Sequence, residues 1–286
     1  MKYVLITAAR NEEKFIERTI KCVVGQTIRP LKWIIVSNGS TDRTEEIVQN
    51  YVADNPWIEL LRTPGTVERD FTAKAYALNE AYASVKDLPF DVVGNLDADI
   101  SFEKGYFEFL LGNFRKDDQL GMAGTPYIEA GKDVSDRLRY DTNYVHGQCQ
   151  LFRRECYEQI GGYLPHKLGG LDVIAVIQAK MKGWKVCSFK DKRFVHHRKM
   201  NSASSARLFV NFKDGQKDYF LGNHPLYQLV KVIYQISNKP YVIRGALMCA
   251  GYIWMFLIGY KRPVDRNFIK FRQQEQLRRI MGFEKR

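Results

Sequence analysis

No CxxC pair occurs in these 286 residues, and the five cysteines (Cys22, Cys149, Cys156, Cys187, Cys249) are odd in number and widely scattered. That pattern argues against a zinc knuckle or a disulfide framework and fits a reducing cytosol. Glycine-rich phosphate loops are also missing. The first apolar run leads into AARNEE rather than GxGxxG, and GxxxxGK[ST] occurs nowhere, which sets aside a dinucleotide fingerprint and a P-loop ATPase. Any phosphate must then be held by metal and lysine rather than by a glycine nest. The opening MKYVLITAARNEEKF lacks an apolar run followed by a small-residue cleavage site, so no secretory signal is expected. Internal repeats and low-complexity segments are absent as well.

What is present is material for a full core: 45% apolar and 27% charged residues, enough for one large domain or two small ones. The net charge of +12 is unevenly placed. Residues 201–286 carry 15 Lys/Arg against 5 Asp/Glu, whereas the first 200 residues carry 29 against 27. A near-neutral body therefore ends in a basic section suited to nucleic acid or to an anionic membrane, and charge alone does not choose.

The first 125 residues alternate short apolar runs with longer amphipathic ones. Tyr3–Ala8, Leu31–Ser37, Trp57–Arg62, Phe90–Leu96 and Leu120–Thr125 read as strands; Glu12–Val24, Asp42–Ala53, Thr72–Ser84 and Glu103–Phe114 read as helices. Strands apolar at nearly every position suit a parallel sheet covered on both faces, and the alternation predicts an open α/β domain. Asp42 with Glu45 resembles a capping box. Strands near 148–152 and 184–188 and helices near 155–160 and 172–182 follow, and from 202 onward the chain reads as mainly helical.

Residues 245–260 form a run of 16 uncharged residues between Arg244 and Lys261. As a helix the run spans roughly 24 Å against a hydrocarbon core of about 30 Å. It reads as a helix buried against the body or in a homodimer interface, as an element lying in a membrane face, or as a short span. Lys231, Lys239 and Arg244 precede it and Lys261, Arg262, Arg266, Lys270 and Arg272 follow, which favours contact with an anionic bilayer.

In open α/β sheets ligands bind beyond the carboxyl ends of the strands. There the sequence places AARNEE, then SNGSTD, then Asn95-Leu96-Asp97-Ala98-Asp99, with Lys74 on the helix after the third strand. Two carboxylates at i and i+2 after a buried strand are costly unless neutralised. Mg²⁺ or Mn²⁺ bridging to a pyrophosphate would do so; solvated loop aspartates are the plain alternative. Adjacent His196 and His197 end the run Arg193–Val195, and alternation along a strand lets only one of them reach the cleft. Asp172, after Gly169-Gly170-Leu171, reads as a helix N-cap or as a general base at the rim.

Together these stretches resemble the family 2 glycosyltransferases, enzymes with the nucleotide-sugar-binding GT-A fold, over about residues 3–200. ITAARNEEKFIERTI resembles the opening strand and helix, VSNGSTDRT the second-strand motif, KAYALNEA the lysine helix and NLDAD the metal-binding Asp-x-Asp. GQCQLFRRECYEQIGGY, GLDVIAVIQAKMKGWKV and FVHH resemble the later motifs in order. The resemblance implies a catalytic domain over 1–200, with a nucleotide-sugar half at about 1–125 and an acceptor half at about 126–200. Residues 201–286 would be a basic helical extension.

It further implies an inverting transfer from a nucleotide-diphospho sugar to a hydroxyl of a glycan or lipid-linked acceptor. Asp99 and His196 would ligate Mg²⁺ or Mn²⁺, with Asp97 reaching the ribose or sugar. Asp172 would be the base, Lys74 and His196 would steady the diphosphate, and Ala8, Glu12 and Asn38 would line the nucleoside pocket. The chain departs from the family pattern at Ser37-Asn38, where two aspartates are usual, at Leu171 in place of a glutamate, and at Gln178 near a usual arginine. The extension resembles those by which the family approaches lipid-linked acceptors, which implies a cytoplasmic protein at the inner face of the membrane.

Three rival readings remain at this level, one of them a glycosyltransferase-like domain without activity, against which the presence of Asp97, Asp99 and Asp172 argues. A nucleotidyltransferase shares the architecture, but AARNEEKF suits a triphosphate poorly. A non-enzymatic nucleic-acid binder rests on charge alone, and the aromatics lie in apolar runs rather than among arginines, so no nucleic-acid partner is expected.

Overall fold

The computed structural model describes the chain apart from residues 65–70, 130, 137–140, 199–203, 237–241 and 283–286, and gives only the backbone of 204–208. The chain divides into two compact units: Met1–Lys167 with Leu171–Lys199, and Leu168–Gly170 with Met200–Arg286.

The first unit is α/β. Its first half runs β1 (Tyr3–Ala9), α1 (Ile16–Val24), β2 (Lys32–Asn38), α2 (Thr44–Asp54), β3 (Ile58–Thr63), α3 (Phe71–Val85), β4 (Val92–Leu96) and β5 (Ile100–Phe102). Its second half adds α4 (Tyr106–Lys116), β6 (Leu120–Gly124), β7 (Tyr127–Glu129), β8 (Lys132–Asp133), β9 (Cys149–Arg153), α5 (Arg154–Ile160), α6 (Leu171–Met181), β10 (Lys185–Ser188) and β11 (Phe194–His196).

Seven strands form the main sheet in the order β10-β6-β9-β4-β1-β2-β3, parallel except for β9, which runs antiparallel to both neighbours. A smaller sheet has the order β5-β11-β7-β8. The expected mostly parallel α/β architecture is therefore present. Alternation explains the two cores. Tyr3, Leu5, Trp33 and Ile35 point to the face covered by α1, α2 and α4, while Val4, Ile6, Ile34 and Val36 point to the face under α3, α5 and α6. All eight are at most 1% exposed, as strands sandwiched between helices require.

The expected elements shift at their ends, and three strands (β5, β7, β8) were not expected, being two or three residues long with no apolar run to mark them. The expected helix at Glu12 begins only at Ile16, because residues 11–13 are held by the next loop. Asn11 sits at φ 56°, Glu12 N donates to Thr44 Oγ1 (2.7 Å), and Glu13 N donates to Asp42 Oδ2 (3.1 Å). The expected capping box does not form. Asp42 Oδ1 accepts from Thr44 N (3.0 Å), while the Glu45 carboxylate turns instead to Ser37 Oγ and Arg62 Nε, each at 2.7 Å.

The second unit is helical: α7 (Ser204–Phe220), α8 (Pro225–Ile236), α9 (Ile243–Leu257) and α10 (Arg266–Ile280). Helices α7 and α9 cross at two glycines. A Cβ on Gly251 would stand 2.0 Å from Phe212 O, and one on Gly215 2.0 Å from Met248 O, so only glycine permits this approach. Buried Asn223 ties the remaining elements together. Its Oδ1 accepts from Arg272 Nη2 (2.7 Å) and Gln276 Nε2 (2.8 Å), its Nδ2 donates to Gln228 Oε1 (3.1 Å), and its carbonyl accepts from Tyr252 Oη (2.9 Å). The uncharged run does not stay helical to residue 260. Helix α9 ends at Leu257, and Gly259 takes a left-handed φ of 60°. Among the described residues no helix is long and apolar enough to cross a membrane. Lys239, part of the expected basic flank, lies outside the described residues, as do 202 and 203 at the expected start of the helical section.

Candidate active site

Strand order reverses at β1, which has β2 on one side and β4 on the other. Register puts Ala8 and Ala9 level with Val36 and Ser37, and Ile6 level with Asn95. The loops leaving the carboxyl ends of these strands therefore diverge around one crevice, where ligands bind in open α/β sheets. A cavity of about 340 Å³ opens there. Ala8, Ala9, Arg10 and Glu12 line it from the end of β1, Asn38 from β2, Phe71, Ala73 and Lys74 from α3, Asp97, Ala98 and Asp99 from the β4–β5 turn, and Arg198 from beyond β11.

The acidic turn is fixed by its main chain. Asp97 N donates to Gln148 O (2.8 Å), and His197 N donates to Asp99 O (2.9 Å). Thr19 Oγ1 donates to Ala98 O (2.9 Å). This rigidity aims the two carboxylates at different partners. Lys74 Nζ pairs with Asp97 Oδ1 at 2.5 Å. Asp99, 7% exposed, receives Arg198 Nε on Oδ2 at 3.0 Å, with His196 Nε2 at 3.5 Å from the same oxygen. A second nitrogen of Arg198, Nη2, pairs with buried Glu12. His196 Nδ1 lies 3.0 Å from Glu129 Oε1, so this imidazole is held between two carboxylates. Neither His196 nor Asp172 is among the residues lining the cavity. His197 turns to the opposite face, where Ser101 Oγ (2.7 Å) and Arg18 Nη1 (3.0 Å) engage it.

The electrostatics separate the two aspartates. Burial lifts the Asp97 carboxyl above the ordinary range, opposed by Lys74 and reinforced by Asp99. Burial also disfavours ionised Asp99, yet His196 and Arg198 together bring it below the ordinary range. For Lys74, burial opposes the charge, but Asp97, Asp99 and Asp172 outweigh it and hold the ammonium above its ordinary value. Burial lowers His196 in the same way, and Asp99 and Glu129 more than restore it.

Asp172 is the second residue of α6, inside the first turn rather than at the cap. Its Oδ2 accepts from Tyr144 Oη at 2.6 Å. Its Cβ packs on Gly147 so closely that a Cβ there would stand 2.9 Å away. Gly147 in turn accepts from Asn95 Nδ2 (2.8 Å) and precedes Gln148, the partner of Asp97. One width of main chain thus connects Asp172 to the acidic turn, and its charge is felt at Lys74.

Two residues were not singled out from the sequence. Arg198 continues the alternation of β11 and so shares the face of His196, a signal that carrying the strand period two residues further would have given. Tyr144 lies in an irregular stretch with no period to follow.

The donor set can be tested for a divalent cation. Asp99 Oδ1 is buried without a hydrogen-bond partner among the described residues, an acceptor that a cation would satisfy. Among the described residues no three His, Cys, Asp or Glu side chains gather to hold a metal. One carboxylate completed by phosphate oxygens and water is the usual manner of Mg²⁺ in phosphate chemistry, so the site fits such an ion bound together with a diphosphate.

The chain is similar to proteins of known activity and known structure. The poly-beta-1,6-N-acetyl-D-glucosamine synthase of Staphylococcus aureus is 28% identical over 137 residues, 47% of this chain and 31% of that protein. The chondroitin synthase of Pasteurella multocida is 29% identical over 127 residues, 44% of this chain and 12% of that protein. The chain thus spans less than a third of the length of these curated relatives. In fold it is similar to the mannosyltransferase PcManGT from Pyrobaculum calidifontis, solved with GDP-Man and Mn²⁺ (TM-score 0.63, 17% identity, covering 91% of this chain and 88% of that one). It is also similar to Staphylococcus aureus TarS 1-349 in complex with UDP-GlcNAc (TM-score 0.56, 13% identity, covering 99% and 80%). Residues 4–171 match the family described as Glycosyl transferase family 2, to which this chain belongs.

Proposed function

We propose that this chain transfers a sugar, with inversion, from a nucleotide-diphospho sugar to a hydroxyl of a glycan or lipid-linked acceptor. The observation that carries the reading is the crevice itself. Lys74, Asp97 and Asp99 meet at the β1/β4 switch point, and Asp172 stands one main-chain width away. Ala8, Glu12 and Asn38 line the side suited to the nucleoside. Lys74 faces the diphosphate and Asp97 the ribose or sugar. His196, expected to ligate the ion and steady the diphosphate, is outside the cavity lining and held between Asp99 and Glu129, so it is assigned the support of Asp99 instead. Mg²⁺ or Mn²⁺ held by Asp99 would supply positive charge against the departing diphosphate. Asp172 takes the proton of the acceptor hydroxyl as its oxygen bonds to the anomeric carbon and the bond to the diphosphate breaks on the opposite face.

Incubation with UDP-, GDP- and dTDP-sugars in Mn²⁺ is expected to release free nucleoside diphosphate with at least one of them. Pyrophosphate formed from a nucleoside triphosphate and a sugar phosphate, with no nucleoside diphosphate from any sugar nucleotide, would instead establish a nucleotidyltransferase.

We further infer that the second unit lies against an anionic membrane, which would place the chain at the cytoplasmic face of the cell envelope. Helix α8 exposes Leu226, Leu229 and Ile233, each more than half accessible, and α9 exposes Trp254, Phe256 and Leu257. Apolar faces of this kind, followed by exposed Lys261, Arg266 and Lys270, match an interfacial element. Full-length protein is expected to float with phosphatidylglycerol vesicles and far less with phosphatidylcholine vesicles, and the triple substitution W254E/F256E/L257E should abolish flotation. Protein that stays down with both vesicles and elutes with twice the chain mass would make these faces a homodimer interface instead.

A further inference from the structure

We propose that Arg198 is a diphosphate-binding residue that also competes with the divalent cation for Asp99, so that cation and diphosphate binding are coupled through this one side chain. The inference takes the identity of the diphosphate from the glycosyltransferase reading, whereas the competition rests on the geometry alone.

Asp99 and Glu12 are 7% and 6% exposed, and carboxylates so buried require a positive partner. Arg198 serves both at once, Nε on Asp99 Oδ2 at 3.0 Å and Nη2 on Glu12 Oε2. A divalent cation on Asp99 draws on the same negative charge. With the cation in place Asp99 no longer needs a guanidinium, and two positive groups on one carboxylate repel each other. Arg198 therefore has a second position to take, and its surroundings provide one. It lines the cavity, its side chain is one-third exposed, and its Cζ lies 5.5 Å from the Phe15 ring, a surface over which the guanidinium can turn. Of the other cationic side chains lining the crevice, Lys74 is committed to Asp97, and Arg10 stands at the end of β1. The planar fork of Arg198 suits phosphate oxygens in a way a point charge does not.

Exchange of this kind is reciprocal. A diphosphate that draws Arg198 away frees Asp99 for the cation, and a cation on Asp99 releases Arg198 to the diphosphate. A purely structural arginine predicts something different, because its removal would loosen the site for both ligands.

Mn²⁺ affinity can be read without turnover by electron paramagnetic resonance of free Mn²⁺, on wild type and Arg198→Gln, with no nucleotide present. Arg198→Gln is expected to bind Mn²⁺ about tenfold more tightly than wild type and to bind inorganic pyrophosphate in EDTA about tenfold more weakly. Arg198→Lys retains one charge but cannot bridge both carboxylates, so it should fall between the two; it provides the test if Arg198→Gln does not fold. Mn²⁺ affinity in either variant equal to or weaker than that of wild type overturns the proposal. So does unchanged pyrophosphate binding. Failure of the broader reading looks different. Wild type would then release no nucleoside diphosphate from any sugar nucleotide, while the opposite shifts in Mn²⁺ and pyrophosphate affinity persisted.

Discussion

Asp172→Asn is expected to lower turnover by about a thousandfold while leaving binding of the nucleoside diphosphate with Mn²⁺ within about twofold of wild type. Asparagine has nearly the shape of aspartate, so its amide oxygen can still accept from Tyr144 and its Cβ can still pack on Gly147. What it lacks is the ability to take a proton. A group that acts only as the acceptor's sugar bond forms should therefore depress kcat and spare donor affinity. Single-turnover rates alongside calorimetric titration with UDP or GDP separate the two quantities. A variant retaining more than a tenth of wild-type turnover would remove Asp172 from the role of base and redirect attention to another group beside the acidic turn.

Asp99→Asn should produce the complementary pattern: turnover lower by at least about a hundredfold, accompanied by loss of Mn²⁺-dependent nucleotide binding. Its Oδ1 is the buried acceptor without a partner among the described residues, and its Oδ2 is the oxygen shared by Arg198 and His196. Removing the charge at this point weakens the site for a cation from both sides. Arg198 keeps Glu12, and the turn keeps its main-chain bonds to Gln148 and Thr19, so the fold should survive and circular dichroism should be unchanged. If Mn²⁺-dependent nucleotide binding is as tight in Asp99→Asn as in wild type, Asp99 is not the residue that holds the ion. Taken together, the two variants distinguish a donor-side carboxylate from an acceptor-side one, a distinction that activity alone would blur.

The alternating β and α pattern was legible because buried parallel strands leave an uninterrupted apolar signature. The apolar runs Tyr3–Ala8 and Leu31–Ser37 pointed to the strands found at Tyr3–Ala9 and Lys32–Asn38, whereas nothing marked the short strand Lys132–Asp133. Boundaries slipped where side chains from a neighbouring loop compete with the helix for the same amides, as Thr44 and Asp42 do at Glu12 and Glu13. Within the crevice, Lys74, Asp97 and Asp99 could be named because each follows a clear strand or sits on a clear helix. The partnership of Tyr144 with Asp172 joins residues 28 apart through an irregular stretch, and nothing in a linear pattern announces such a meeting. Arg198 shows the opposite case, a residue whose face was implied by the strand period but whose partner Glu12, 186 positions away, was not.

On the proposed reading of Glu12 and Asn38 as nucleoside-pocket residues, the stitching between the first two loops bears on how base preference could be altered. Asn11 Oδ1 accepts from Thr41 N at 2.8 Å, Ser40 Oγ accepts from Asn11 N at 3.3 Å, and the bonds from Glu12 and Glu13 reach the same neighbour. Glu12 and Asn38 stand on opposite sides of this seam. Grafting a different uracil- or guanine-reading loop onto only one of them would strand those amides and carbonyl groups. A chimera aimed at a new nucleotide must therefore carry residues 10–13 and 38–44 together, as one exchangeable cassette.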